Sequence, residues 1–138
     1  WHGYDRRAVE RLVHSTGSRL DPHGVTLYAR LIRHTAHVQG VLAMMANWDL
    51  APLARDLPRL TVPLVLLVGE NDRAVSPSAA RQVLAQAPNT ELIYLPGLGH
   101  LAHEEAGEAV HRALLASAAM RNFWPAQEKE WRELDLRA

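Results

Sequence analysis

The sequence contains no cysteine among its 138 residues. This absence excludes disulfide bonds, thiolate-ligated zinc sites and a cysteine nucleophile, and it fits a reducing compartment. We therefore expect a cytoplasmic location. Long hydrophobic runs are also missing, since the longest apolar segments, near 62–68 and 41–46, fall far short of the ~20 residues that span a bilayer.

Charge of one sign is not in excess. Fifteen Lys and Arg residues balance fifteen Asp and Glu residues, which gives a formal net charge of zero. Proteins that bind nucleic acids usually carry a basic surplus, because neutralising phosphates dominates their affinity. We therefore expect no nucleic-acid partner. The hydrophobic fraction of 48% is typical of a globular protein and too high for a disordered chain.

The first 60 residues carry the pattern of a helical segment. Apolar residues recur at helical spacing, and Asp21-Pro22 combines a capping side chain with a proline suited to the first helical position. Asp5 is a second candidate cap. The predicted helices cover about 5–17, 22–35, 36–47 and 51–57. The residues expected to face inward are Val9, Leu12, Val13, Val25, Tyr28, Leu31, Ile32, Val38, Val41, Leu42 and Met45.

The second half changes to an α/β pattern. It predicts a strand at 62–68, a helix at 77–87, a strand at 90–95 and a helix at 103–120. The first strand is apolar without alternation, as in a parallel strand covered on both faces. Two such strands are not stable alone, so we expect further strands from elsewhere. The sequence starts at Trp1 without an initiator Met, and we expect it to be the C-terminal part of a longer α/β protein.

Two polar residues lie in the short loops that follow the predicted strands. Asp72 lies just after the first strand and His100 just after the second. Ligands in open α/β sheets bind at the carboxyl ends of the strands, so the two side chains can meet at one edge. An Asp that accepts a hydrogen bond from one ring nitrogen leaves the other as a general base. Both residues also have an ordinary structural alternative, as loop residues bound to nearby backbone.

The two loops resemble the last two active-site loops of the α/β-hydrolase fold. The motifs are Gly69-x-x-Asp72 and Gly97-x-Gly99-His100. The resemblance implies that Asp72 is the acid and His100 the base of a catalytic triad. It also implies a helical cap at 1–60, followed by the last two parallel strands with their helices at 61–121. The polar composition of 122–138 predicts a C-terminal tail there.

A narrower resemblance is to the magnesium-chelatase accessory proteins of bacteriochlorophyll biosynthesis, a pathway of photosynthesis. It rests on residues 15–21, 27–31 and 44–50. It implies a small hydrophobic substrate, a tetrapyrrole among the candidates, and magnesium-chelatase subunits as partners. Met44, Met45 and Trp48 would line an apolar substrate pocket in the cap, although ordinary helix packing is the more common role of such residues. We expect no cofactor and no metal.

The motif Gly-x-Ser-x-Gly, which carries the nucleophile of these hydrolases, does not occur in the 138 residues. Without a nucleophile, acyl transfer has no first step, so we expect these residues alone to be inactive and the nucleophile to precede Trp1. Three functions stay open. They are a Ser-His-Asp ester hydrolase, a non-catalytic accessory protein that binds a porphyrin or a chelatase subunit, and an epoxide hydrolase or haloalkane dehalogenase with an Asp nucleophile.

Overall fold

The computed structural model describes residues 6–123, which form a helical half followed by a small parallel sheet with its helices. The helical half contains α1 (Arg6–Ser15), α2 (Pro22–Arg33), α3 (Thr35–Ala46), α4 (Ala51–Asp56) and a 3-10 turn at Leu57–Arg59. The second half contains β1 (Leu64–Gly69), α5 (Pro77–Gln86), β2 (Thr90–Leu95), α6 (Ala102–Glu105), α7 (Gly107–Ala116) and α8 (Ala118–Phe123). No helix within 6–123 is long and apolar enough to cross a membrane.

Local capping signals explain where two helices begin. Asp21 Oδ1 accepts a hydrogen bond of 2.7 Å from the Gly24 N–H, and the helix opens on Pro22. Ser76 Oγ accepts one of 3.2 Å from the Ser78 N–H, and α5 also opens on a proline. These contacts satisfy N–H groups that have no partner within the helix. Both predicted starts are confirmed, whereas the predicted Asp5 cap lies outside the described residues.

The two strands pair in parallel, with Leu64 opposite Thr90 and Gly69 opposite Leu95. Strand β2 has the predicted bounds. Strand β1 begins two residues later than predicted, at Leu64, because Pro63 has no N–H to donate to a strand ladder. Beyond the last pair, the Glu70 N–H donates to the Leu95 carbonyl at 3.2 Å. This register brings the loops that follow the two strands to the same edge of the sheet.

The strands are less covered than their apolar sequence predicts. Gly69 and Leu95 are buried, but the other strand residues are half-buried or, at Tyr94, exposed. Helix α5 packs against both strands and α7 packs against β1. Helices within residues 6–123 therefore cover these strands incompletely, and the expectation of full burial on both faces is not met by this part of the chain.

The predicted inward face of the helical half is confirmed in part in α1 and α2 and is wrong in α3. Val9, Val13 and Val25 are buried, as expected. Leu42 and Met45 were expected inside but are exposed, and no residue of α3 is buried; Leu12 and Leu31 are also exposed. In α3 the apolar residues surround the helix instead of forming one stripe, so the spacing alone does not select a buried face.

The predicted helix at 103–120 is three helices. Ala106, which precedes a glycine, has φ −150° and ψ 61°, and this non-helical conformation ends α6. Ser117 has an extended backbone that ends α7, and its Oγ accepts a 3.1 Å hydrogen bond from the Met120 N–H at the start of α8. A serine side chain that bonds nearby backbone groups competes with the hydrogen bonds of the helix. The presence of Ser117 in the sequence could therefore have indicated this helix end, but the prediction did not use it. The predicted tail at 122–138 lies outside the described residues from position 124 onward.

Candidate active site

Asp72 and His100 meet at the carboxyl edge of the sheet. The distance between His100 Nδ1 and Asp72 Oδ2 is 2.9 Å, a hydrogen bond between residues 28 positions apart. Each follows the end of its strand, so the parallel register of β1 and β2 sets their separation. The predicted meeting of the two side chains is confirmed, and their catalytic role stays a prediction.

The Asp72 carboxylate uses its two oxygens for different tasks. While Oδ2 faces His100, Oδ1 accepts hydrogen bonds from the N–H groups of Ala74 at 2.9 Å and Val75 at 2.8 Å. The Asp72 side chain is 10% exposed and that of His100 is 39% exposed. The local turn and the contact with His100 are therefore not alternatives, because the backbone bonds on one oxygen orient the other oxygen toward the ring.

The Asp72 carboxylate determines which ring nitrogen of a neutral His100 carries the proton. A carboxylate can only accept hydrogen bonds, so Nδ1 of His100 must donate to Asp72. The lone pair then lies on Nε2, which can take a proton from another group. An imidazolium formed in this way is stabilised by the adjacent Asp72 carboxylate. The arrangement can serve as an oriented general base that later acts as an acid.

The two site loops are fastened to each other by an asparagine that sequence reasoning did not single out. The Asn71 N–H donates to the Leu98 carbonyl at 2.9 Å, and Asn71 Nδ2 donates to the Gly97 carbonyl at 2.9 Å. Asn71 immediately precedes Asp72. Its position between a strand and the predicted acid was the signal that could have identified it.

The residues predicted to line a substrate pocket, Met44, Met45 and Trp48, do not line the cleft found in the helical half. Met44 and Met45 are in the last turn of α3 and Trp48 follows that helix, and all three are exposed. A cleft of about 230 Å³ lies between α1 and α2 and includes Arg6, Glu10 and His14 in its lining, but neither Asp72 nor His100. Within residues 6–123, no group of three or more His, Asp or Glu side chains could hold a metal ion. The substrate role of Met44, Met45 and Trp48 stays a prediction.

Comparison with known proteins identifies the family. A family model described as "Alpha/beta hydrolase family" matches residues 2–113. The chain belongs to the α/β-hydrolase family. The predicted family and the α/β fold class are thereby confirmed, and the Asp72–His100 pair lies within the matched part of this α/β-hydrolase chain.

The magnesium-chelatase 30 kDa subunit of Rhodobacter capsulatus is similar to this α/β-hydrolase chain. The two sequences are 37% identical over 113 residues. The matched region is 82% of this chain and 39% of that protein. The α/β-hydrolase chain therefore spans well under half the length of the curated relative it matches, and it has the predicted likeness to a magnesium-chelatase protein.

A tyrosine joins the helical half of the α/β-hydrolase chain to the segment after His100. Tyr28 on α2 donates a hydrogen bond of 2.7 Å from its hydroxyl to Glu104 Oε1 on α6. Burial, and then the hydrogen bond and negative charge of Glu104, raise the pKa of Tyr28 from 10.0 to about 12. The folded state thus favours the neutral phenol more strongly than the unfolded chain does.

This shift predicts a pH dependence of stability. The contribution of Tyr28 should be complete below pH 10.0, the ordinary value, and lost as the pH rises toward about 12. Ultraviolet titration of tyrosinate should show a late component that Tyr28→Phe removes. Tyr94→Phe is the control and should leave that component in place. If the late component is still present in Tyr28→Phe, its assignment to Tyr28 is wrong.

Proposed function

We propose that these residues supply the acid and the base of a Ser-His-Asp hydrolase that acts on an ester or a similar small hydrophobic substrate. The observation that carries the proposal is the 2.9 Å hydrogen bond between His100 Nδ1 and Asp72 Oδ2. It stands at the edge of an α/β sheet where ligands bind. The order of the acid before the histidine, after an upstream nucleophile, is that of α/β-hydrolases.

In the proposed reaction, His100 moves one proton in each of two half-reactions. Nε2 accepts the proton of the serine hydroxyl as its oxygen attacks the substrate carbonyl, and Asp72 stabilises the imidazolium. Nε2 then donates this proton to the leaving oxygen as the carbon–oxygen bond of the substrate breaks, and an acyl-serine remains. Water then attacks the carbonyl of the acyl-serine while Nε2 accepts a proton from it. Nε2 donates that proton to the serine oxygen as the acyl–serine bond breaks, which releases the carboxylic acid and regenerates the serine. The 138 residues have no Gly-x-Ser-x-Gly, so the proposal assigns the nucleophile to a segment ahead of Trp1.

The proposed setting is the magnesium branch of tetrapyrrole synthesis. The similarity to a magnesium-chelatase 30 kDa subunit supports a role beside magnesium chelatase. It also supports the chelatase subunits as partners. Bacteriochlorophyll biosynthesis as the pathway and a tetrapyrrole as the substrate belong to the proposal and rest on the resemblance of residues 15–21, 27–31 and 44–50. Residues 1–60 would then act as the cap above the catalytic pair, and the exposed Met44, Met45 and Trp48 would supply apolar surface to the substrate.

A second candidate is a non-catalytic accessory protein that binds a porphyrin or a chelatase subunit. The observation that favours it is the set of large apolar side chains exposed from the end of α3 to α4. These are Leu42, Met44, Met45, Trp48, Leu50 and Leu53. Large apolar side chains exposed in number along one segment are typical of a surface that binds a partner or a ligand. In this alternative the Asp72–His100 pair would have no catalytic role.

A fluorophosphonate probe separates the two candidates in the full polypeptide, including the residues ahead of Trp1. The hydrolase proposal expects labelling, and His100→Ala should slow it by at least about a thousandfold, since the base is removed. His111→Ala on α7 replaces another exposed histidine and should label normally. Equal labelling of His100→Ala and wild type would refute the assignment. Absent labelling together with a spectral change on porphyrin addition would favour the accessory protein.

A further inference from the structure

A short turn between α1 and α2 lies against both loops of the catalytic pair. We call it the 16–18 turn, and it consists of Thr16, Gly17 and Ser18. The Thr16 carbonyl accepts hydrogen bonds from the N–H of Arg73 at 3.0 Å and of His100 at 3.4 Å. Arg73 directly follows Asp72, so one carbonyl oxygen joins the backbone beside the acid to the backbone of the base.

Ser18 adds a side-chain contact on the histidine side. Its hydroxyl oxygen accepts a 2.8 Å hydrogen bond from the N–H of Leu101, the residue after His100. Ser18 is 1% exposed, so the acceptor of this hydrogen bond is buried. Removing a buried acceptor leaves the donor unsatisfied, which favours displacement of the backbone that carries it.

Glycine permits the turn to approach the loops this closely. Gly17 has φ +85°, and a Cβ atom at this position would overlap the Asn71 carbonyl. A Cβ atom on Gly99 would likewise overlap the backbone of Gly17 and Ser18. The contact is therefore between backbones, which makes it stiff compared with contacts through flexible side chains.

Glu105 closes a second connection between the same segments. Its Oε1 accepts a 2.8 Å hydrogen bond from the Gly99 N–H, and its Oε2 accepts a 3.0 Å hydrogen bond from the Arg19 N–H. One carboxylate thus joins the residue before His100 to the residue after the 16–18 turn. Together with Ser18, it fixes the backbone on both sides of His100.

We infer that the 16–18 turn is a positioning element for the Asp72–His100 pair, with Ser18 and Glu105 as the positioning residues that hold the His100 backbone. Neither residue touches the reacting atoms. Each acts by keeping Nδ1 of His100 within hydrogen-bond distance of Asp72. The effect on activity rests on the proposed hydrolase function, whereas the effect on the His100 ring does not.

Nuclear magnetic resonance of histidine ring nitrogens, on the ¹⁵N-histidine-labelled full polypeptide at neutral pH, tests the inference. His100 is assigned by its loss in His100→Gln. The wild type should show a proton on Nδ1, and Ser18→Ala should show a mixture of both ring tautomers. Fluorophosphonate labelling of Ser18→Ala should be roughly tenfold slower, because a small misplacement of a catalytic group is costly.

Ser117→Ala is the matched control. Ser117 is fully buried, and its hydroxyl also accepts a hydrogen bond from a backbone N–H, that of Met120. Ser117→Ala therefore makes the same chemical change as Ser18→Ala, but at a site away from the Asp72–His100 pair. It should leave the His100 signals and the labelling rate unchanged. Glu105→Ala is a second variant and should change both readouts in the direction of Ser18→Ala.

Wild-type His100 signals in both Ser18→Ala and Glu105→Ala would overturn the inference. An equal change in Ser117→Ala would also overturn it, since the effect would then follow from lost stability alone. If the wild type shows the Nδ1 proton but no labelling, the proposed hydrolase function fails. In that event the ring signals of the two variants still support or overturn the positioning role.

Discussion

Asp72→Asn is expected to slow fluorophosphonate labelling of the full polypeptide by about 10⁴-fold while the fold is retained. The reason lies in the two oxygens of Asp72. The N–H groups of Ala74 and Val75 both donate to Oδ1, and an asparagine must keep its carbonyl oxygen there because its amide nitrogen cannot accept. The amide NH₂ group then faces His100 Nδ1, which has to accept. The ring proton moves to Nε2, and the base is lost.

Labelling rates and the histidine ring spectrum test this expectation together. The Asp72→Asn spectrum should show the His100 proton on Nε2. Glu70→Gln makes the same carboxylate-to-amide change two positions earlier, at an exposed residue of the same loop, and should label at the wild-type rate. A labelling rate for Asp72→Asn within tenfold of wild type would show that His100 does not depend on Asp72.

Gly99→Ala is expected to lower the free energy of unfolding by about 3 kcal/mol, the upper part of the usual range for overpacking. The added methyl group would overlap the carbonyl carbon and oxygen of Gly17 and the nitrogen of Ser18. All three are backbone atoms, so no side-chain rotation can make room. Gly99 does not have a positive φ, so the cost is steric and does not arise from backbone conformation.

Gly40→Ala is the matched control for this prediction. Gly40 lies within α3, and a Cβ atom there would meet no heavy atom within 4 Å. Alanine is the better helix former, so we expect stabilisation by about 0.5–1 kcal/mol. Denaturant unfolding of both variants should give changes of opposite sign. A Gly99→Ala variant as stable as wild type would contradict the close approach of the 16–18 turn to the His100 loop.

Much of the fold is predictable because its signals are local. Asp21 and Ser76, each followed by a proline, predict the starts of α2 and α5 without any knowledge of the remaining chain. The meeting of Asp72 and His100 is also predictable. It needs only two parallel strands and the rule that functional side chains follow their carboxyl ends.

The rest was not predictable because it depends on contacts between distant parts of the chain. Ser18 and Leu101 are 83 positions apart, and nothing in the neighbourhood of Ser18 distinguishes it from any other polar loop residue. The prediction of a buried face on α3 was wrong for a related reason. Its apolar residues surround the helix, so packing partners, and not spacing, decide which of them are covered.

The Thr16 carbonyl, with its two N–H donors, has a consequence for exchanging segments between related proteins. A graft that replaces the helical half as one block would separate this oxygen from the backbone of Arg73 and His100. The junction of such a graft should therefore be placed after Arg19, so that the 16–18 turn is kept together with the sheet to which it is bound. Sequence order assigns Thr16 to one module, but its hydrogen bonds assign it to the other.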